Sequence, residues 1–239
     1  MGISIEEVVD GVFKLQGGGD RCIEHNGERL YRFMDSFYIR KEHLYELTPD
    51  EVSNLCRARS RYPQLITDVN DLVQSIFRRL VSQVNPSSLL EIGSGSRPLL
   101  SPPPESILYV MSDADQSVMM GTASKAQFCE FSSTNSMLPY EESFFDMVVA
   151  VFVLQFNFYE AQISELYRCI APQGIFVANV YRRPSHASKQ LCAQFESKGF
   201  NVRRIEDPQS LCSGHEYWLI SKCADKIAKT AEQLHACLS

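Results

Sequence analysis

"LLEIGSGSRPLLSPPP", Leu89 to Pro104, decides how the chain is read. A short apolar run ends in an acid, Glu91. Gly93 and Gly95 follow, then Pro98 and the prolines Pro102, Pro103 and Pro104. A brief apolar run bounded by glycine reads as a buried strand leaving a sheet through a tight turn. Glycine lacks Cβ, so this backbone can turn sharply and approach a ligand closely. Such a turn either holds a ligand or merely ends a strand, and its surroundings decide which.

From Ser87 onward, short buried strands alternate with helices. Strands read at "SLLEIG", "ILYVMSD", "AQFCEF", "FDMVVAVF", "GIFVANVY", "FNVRRIE" and "EYWLISK". Helices read near Asp115 to Ala123, Tyr159 to Ile170 and Ser185 to Lys198, with "CADKIAKTAEQLHACLS" as a terminal helix. Continuous apolar strands joined by helical crossovers predict an α/β fold with a doubly wound, mostly parallel seven-stranded sheet and helices on both faces. Mixed sheets allow the last strand to run antiparallel.

The chain before Ser87 reads differently. "CIEHNGERLYRF" places Asn26-Gly27 between two alternating runs, a strong hairpin signal. In "TPDEVSNLCRARS", Thr48 suits an N-cap, Pro49 the first helical position, and Glu51 completes a capping box. A second helix is expected from Ile66 to Val84, with Leu72, Ile76, Leu80 and Val84 on one face and Asn85-Pro86 ending it. The expected organisation is a cap or lid of hairpin and helices over residues 1–85, and a core with its C-terminal helix over 86–239.

Composition excludes several classes. Hydrophobic residues make up 44% of the 239 and charged residues 22%, as in ordinary globular chains. A net charge of −6 disfavours broad binding to a phosphate backbone, so a nucleic-acid partner is not expected. No apolar run approaches about 20 residues, so no membrane span is expected. "MGISIEEVVD" lacks the basic region and apolar core of a secretory signal, and Glu6 stands where a myristoylation pattern wants Ser or Thr. The eight cysteines form no CxxC pair and are spread along the chain. They read as reduced thiols in a cytoplasmic protein, with no metal site.

In doubly wound sheets the ligand lies beyond the carboxyl ends of the strands, at the topological switch point. Asp113, 22 residues after Glu91, ends the next strand, where an acid can accept hydrogen bonds from ribose hydroxyls. A dinucleotide would want G-x-G-x-x-G opening into a helix that holds pyrophosphate. Here Pro98 takes the third glycine's place, the prolines forbid a long helix, and Glu91 would repel pyrophosphate. A nucleoside with a positive, phosphate-free tail suits the loop, and S-adenosylmethionine fits that description.

Later segments carry a family resemblance. "EIGSGS" resembles the E/D-x-G-x-G motif of Rossmann-like (class I) S-adenosylmethionine-dependent methyltransferases, and "SDADQSVMM" resembles their second motif. "MLPYEESFFDMVVAVFVLQF" is similar to their "LP-(F/Y)-x-(D/E)-x-S-F-D-x-V" segment, and "ELYRCIAPQGIFVANVY" to their "E-x-x-R-x-L-x-P-G-G" helix and strand. The four occur in order from Pro86 to Lys222, and resemble most the small-molecule and quinone-biosynthesis branch.

The resemblance implies roles. Backbone around Glu91, Gly93, Ser94 and Gly95 would face the methionine part of the cofactor. Asp113 would take the ribose hydroxyls and Ala114 would lie against adenine. Val151 and Phe152 would line the methyl-donor pocket. Relatives often carry an acid for the adenine amino group. This chain reads "SSTNSM", so Ser133, Thr134 or Asn135 would supply a neutral acceptor. "APQG" replaces "K-P-G-G", and Arg97, in place of a glycine-loop helix, could reach the cofactor carboxylate.

The implied activity is methyl transfer to a small-molecule acceptor by in-line displacement. No catalytic residue is assigned, because a base is needed only if the acceptor atom carries a proton. Tyr38, Tyr62, Gln155 and Tyr181 are the candidate acceptor-side residues. Tyr45, Arg59 and Arg61 lie in the expected cap. His43, His186 and His215 could face the cleft mouth, while His25 and His235 read as solvated. Two other classes stay open: a non-catalytic methyltransferase-like scaffold or partner subunit, and a dinucleotide oxidoreductase. Oligomeric state and acceptor identity are not legible.

Overall fold

The computed structural model describes residues 4–17, 19–34, 36–62, 68–114 and 127–239, the side chains of 59 and 60 excepted. The chain divides into two compact units, Met1–Ile66 and Thr67–Ser239.

The smaller unit is an antiparallel sheet of β1 (Ile5–Val9), β2 (Val12–Leu15), β3 (Cys22–His25), β4 (Glu28–Met34) and β5 (Phe37–Ile39) in the order β1-β2-β5-β4-β3. The Asn26-Gly27 turn joins β3 and β4 as expected. Asn26 at φ 51° and Gly27 at φ 80° match the right-handed twist of the strands they join. The hairpin is one part of a larger sheet, which corrects the simpler cap expected from sequence. Asp10-Gly11, another two-residue turn, joins β1 to β2. Phe13, Leu15, Leu30 and Tyr38 form this unit's core. Helix α1 (Pro49–Arg61) starts with the expected capping box: Glu51 N–H donates to Thr48 Oγ1 at 3.3 Å, and Thr48 N–H to Glu51 Oε2 at 2.8 Å.

The larger unit begins with α2 (Asp68–Val84), ended by Asn85 at φ 49°. Its buried stripe is Val73, Ile76, Phe77, Leu80 and Val81. These residues pack with Leu89, Met147, Val149 and Tyr217 of the sheet. The compact division therefore falls after Ile66, and not after Asn85 as expected from sequence.

Seven strands follow: β6 (Ser88–Ile92), β7 (Leu108–Asp113), β8 (Gln127–Glu130), β9 (Phe145–Ala150), β10 (Ile170–Tyr181), β11 (Asn201–Glu206) and β12 (His215–Ser221). Their order is β11-β12-β10-β9-β6-β7-β8. Pairings from β8 across to β10 are parallel, and β12 lies antiparallel to both β10 and β11. Helices α3 (Glu160–Cys169) and α4 (Ser185–Ser197) cover one face, while α2 and α5 (Ala224–Leu238) cover the other. Successive residues of β6 and β9 enter opposite cores, which is why both strands read as unbroken apolar runs. The helix expected from Asp115 to Ala123 lies outside the described residues. Among the described residues no helix is long and apolar enough to cross a membrane.

The two later motifs hold one another. Glu165 Oε1 accepts the Leu138 N–H at 2.7 Å, and Arg168 donates to the Tyr140 and Leu138 carbonyls at 2.8 and 3.2 Å. Burial would raise the Glu165 pKa, but hydrogen bonds from Arg168 and Leu138 and the Arg168 charge hold it below the ordinary value. Glu165→Ala strands the Leu138 amide and the guanidinium. The expected loss is about 2–4 kcal/mol, read by urea unfolding.

Candidate functional site

The sheet order reverses at β6, which pairs with β7 on one side and β9 on the other. The crevice beyond the carboxyl ends of these strands is the place where doubly wound sheets bind ligands. The glycine turn lies there. Gly93 and Ser94 donate to the Ser112 carbonyl at 2.8 and 3.1 Å, and Gly95 N–H donates to Asp113 Oδ2 at 2.9 Å. The turn is thus wired to the carboxyl end of β7, and Asp113 is its anchor.

Both glycines adopt positive φ, Gly93 at 70° and Gly95 at 54°. Their surroundings differ. A Cβ on Gly93 would lie 2.5 Å from Val153 Cγ2, whereas one on Gly95 meets no atom within 4 Å. Gly93 is needed for packing, and Gly95 leaves an open flank. Gly93→Ala should cost about 2–5 kcal/mol from left-handed strain and overpacking. Gly95→Ala should cost only about 1–2 kcal/mol of stability. If a ligand lies along that flank, the same methyl should weaken its binding by about 10-fold or more. Chemical unfolding and calorimetric titration read the two effects separately.

Glu91 lies elsewhere than expected beside a cationic ligand. Its carboxyl is 3% exposed, turned under the loop, where Oε2 accepts the Leu99 N–H at 2.9 Å and the Tyr109 hydroxyl. Burial pushes its pKa up to about 7, against hydrogen bonds from Tyr109 and Leu99 that pull it down. Arg97 pairs with Asp71 at 2.8 Å. Arg78 Nε donates to the Leu99 carbonyl at 2.8 Å. Together these bonds fasten the proline loop to α2. No helix or strand interrupts it between Ile92 and Leu108, as the prolines require.

On the far side of Asp113, Ala114 is exposed. Ser132 to Asn135 make a closed turn: Ser132 N–H donates to the Asn135 carbonyl at 2.9 Å and Asn135 N–H to Ser132 Oγ at 2.9 Å. Thr134 and Asn135 are exposed, and Ser133 Oγ is buried with no hydrogen-bond partner among the described residues. On the other side, Val151 and Phe152 are half-buried beyond β9, with Phe152 at φ 59°. Gln155 is half-buried in the next turn, which Arg183 pins by donating to the Leu154 and Phe156 carbonyls at 3.0 and 2.8 Å.

The acceptor-side candidates divide. Tyr181 ends β10 with its ring 4.1 Å from that of His215. Tyr38 is fully buried in the smaller unit's core, its hydroxyl donating to the Asp20 carbonyl at 2.8 Å, so it is a packing residue. Tyr62 is half-buried in the same unit, its ring tilted at 59° against that of Phe37, with Lys14 Nζ 4.4 Å from its ring. His43 stacks on Tyr45, and His186 is exposed at the start of α4. Asn179, which donates to His215 Nδ1 at 3.2 Å, escaped the sequence reading. Its one signal was a polar residue inside the apolar run "GIFVANVY".

No protein-family model matches the chain, and no curated protein matches it. Solved structures do. A TehB-like S-adenosylmethionine-dependent methyltransferase from Corynebacterium glutamicum aligns with a TM-score of 0.51 and 14% identity, over 74% of this chain and 100% of that one. A 1,6-didemethyltoxoflavin-N1-methyltransferase from Burkholderia thailandensis, bound to 1,6-didemethyltoxoflavin and S-adenosylhomocysteine, aligns with a TM-score of 0.51 and 14% identity, over 84% and 98%. The likeness is one of fold: the chain has the α/β fold of class I S-adenosylmethionine-dependent methyltransferases.

Proposed function

We propose that the chain is an S-adenosylmethionine-dependent methyltransferase acting on a small-molecule acceptor. One observation carries this reading: a two-glycine turn, open at Gly95, tied by its own backbone to Asp113 at the sheet's switch point. The residues present fit the cofactor. Asp113 would take the ribose hydroxyls, the open Gly95 flank leaves room for a tail, and the buried Ser133 hydroxyl supplies an unmatched polar atom on the adenine side.

Bound there, S-adenosylmethionine supplies a methyl group on an already activated, positively charged sulfur. The chain's own task is then placement. Asp113, locked by Gly95, fixes one end, while Val151 and Phe152 present apolar surface that excludes water from the other. Holding reactants at about 3–3.5 Å is worth roughly 7–11 kcal/mol of barrier. The inward-turned Glu91 supports the loop from beneath and moves no proton in this scheme.

A non-catalytic scaffold is the competing reading, favoured by the missing glycine-loop helix and the neutral Ser133–Asn135 turn. Equilibrium dialysis with radiolabelled S-adenosylmethionine tests the proposal. One equivalent bound per chain, displaced by S-adenosylhomocysteine but not by NADH, is the expected result. Retention of no label favours the scaffold, and displacement by NADH puts a dinucleotide in the turn.

A further inference from the structure

The carboxyl rim of the sheet carries a second built feature beside the glycine turn. A row of paired residues crosses the sheet through Ser112, Ile92, Ala150, Ala178 and Trp218. One residue further along the parallel strands stand Asp113, Gly93, Val151 and Asn179. With strands about 4.8 Å apart, Asn179 lies roughly 10 Å along the rim from Gly93, beyond the donor side lined by Val151.

Three observations converge on this spot. Asn179 is fully buried, and its Oδ1 has no hydrogen-bond partner among the described residues, although its amide nitrogen meets His215 Nδ1 at 3.2 Å. Buried polar atoms are almost always paired, so each exception calls for a reason. His215, 3% exposed, is touched by two rings: Tyr181 with centroids 4.1 Å apart, and Phe152 edge-on at 5.8 Å and 88°. Phe152 and Tyr181 are themselves half-buried. Phe152 also holds φ 59°, a conformation that bulky side chains keep only under constraint and that clusters at ligand clamps. Burial lowers the His215 pKa, with Asp207 opposing and Arg182 acting the same way.

We propose that Phe152 and Tyr181 are the aromatic walls, and His215 and Asn179 the polar floor, of the methyl acceptor's subsite, which takes a planar aromatic or heteroaromatic molecule bearing an N–H or O–H donor. The inference rests on the methyltransferase reading above. A flat ring packs on half-exposed rings in offset or edge-on geometry, which a saturated ring cannot copy. The donor answers Asn179 Oδ1. A site built to bond a donor rejects analogues that lack it, because its own polar group is left unpaired.

Calorimetric titration of the S-adenosylhomocysteine-loaded protein with indole, 1-methylindole and cyclohexylmethanol tests this. Indole is flat with a donor, the second probe lacks the donor, and the third lacks the flat ring. Indole should bind about 10-fold more tightly than either of the others. Phe152→Gly, which accepts the positive φ while removing the ring, should weaken indole by about 10-fold at saturating S-adenosylhomocysteine. His215→Ala should act likewise. Equal binding of the three probes, absence of indole binding to loaded protein, or indifference to Phe152→Gly each overturns the subsite while leaving the cofactor reading intact. Failure of S-adenosylhomocysteine to bind at all removes both.

Discussion

Asp113→Ala is expected to weaken S-adenosylhomocysteine binding by about 100-fold or more, with a far smaller effect on the folded protein itself. The carboxylate has two tasks. Oδ2 accepts the Gly95 N–H and so holds the turn against β7. In the proposed complex the same group also takes the ribose hydroxyls. Hydrogen bonds to a charged group are worth about 1.5–3 kcal/mol each, and two lost together give a factor of about 100 to 10,000 in affinity. Without ligand, the variant gives up one loop anchor, about 1–2 kcal/mol. Asp113→Asn separates the tasks. It keeps an oxygen for Gly95 but loses the charge, so its stability should stay near that of the native chain while affinity falls by about 10-fold. Calorimetric titration and urea unfolding of both variants provide the check. Affinity within a few-fold of native in Asp113→Ala would remove Asp113 from the site.

Glu91 governs a pH dependence of stability that its partner-preserving variant should erase. The folded pKa is raised from 4.5 to about 7, chiefly by burial. Between those values the folded chain binds a proton that the unfolded chain has released. The stabilising contribution is therefore complete below about pH 4.5 and disappears as pH rises through about 7. Over that window it amounts to on the order of 3 kcal/mol. Glu91→Gln keeps an oxygen for the Leu99 amide and the Tyr109 hydroxyl but does not titrate. The difference in unfolding free energy between native chain and variant, measured in urea from pH 4.5 to 8, should shift in the variant's favour as pH rises. Glu91→Ala should cost about 2–5 kcal/mol near pH 4.5, because two buried donors lose their acceptor, and less as pH rises through about 7. A native-minus-Gln difference that stays flat across the range contradicts the buried, raised carboxyl.

Much of the fold was legible because its physics is local. Strands buried on both faces are continuous apolar runs, and β6, β7, β9 and β10 read as such. Thr48 and Glu51 announced the start of α1, and Asn85-Pro86 announced the end of α2. What stayed hidden depended on contacts distant in sequence. Strands β1 and β2 are short and partly charged, so the Asp10-Gly11 turn between them drew no attention. The apolar stripe of α2 shows that the helix packs on something, but not which unit supplies the surface. The direction of Glu91 was set by the proline loop curling back to offer the Leu99 amide, and irregular loops carry no periodicity to read. Asn179 and His215 lie 36 residues apart and meet because β12 runs antiparallel to β10, a strand direction that side-chain patterning does not encode.

Thermal and urea unfolding of the native chain with S-adenosylmethionine, S-adenosylhomocysteine or NADH tests the central claim most directly. A ligand present at about 100 times its dissociation constant stabilises the state that it binds by roughly 2.7 kcal/mol. Stabilisation of that size is expected with both adenosyl compounds and none with NADH. Stabilisation by NADH alone, or by none of the three, would contradict the assignment of the Gly93–Asp113 turn to S-adenosylmethionine.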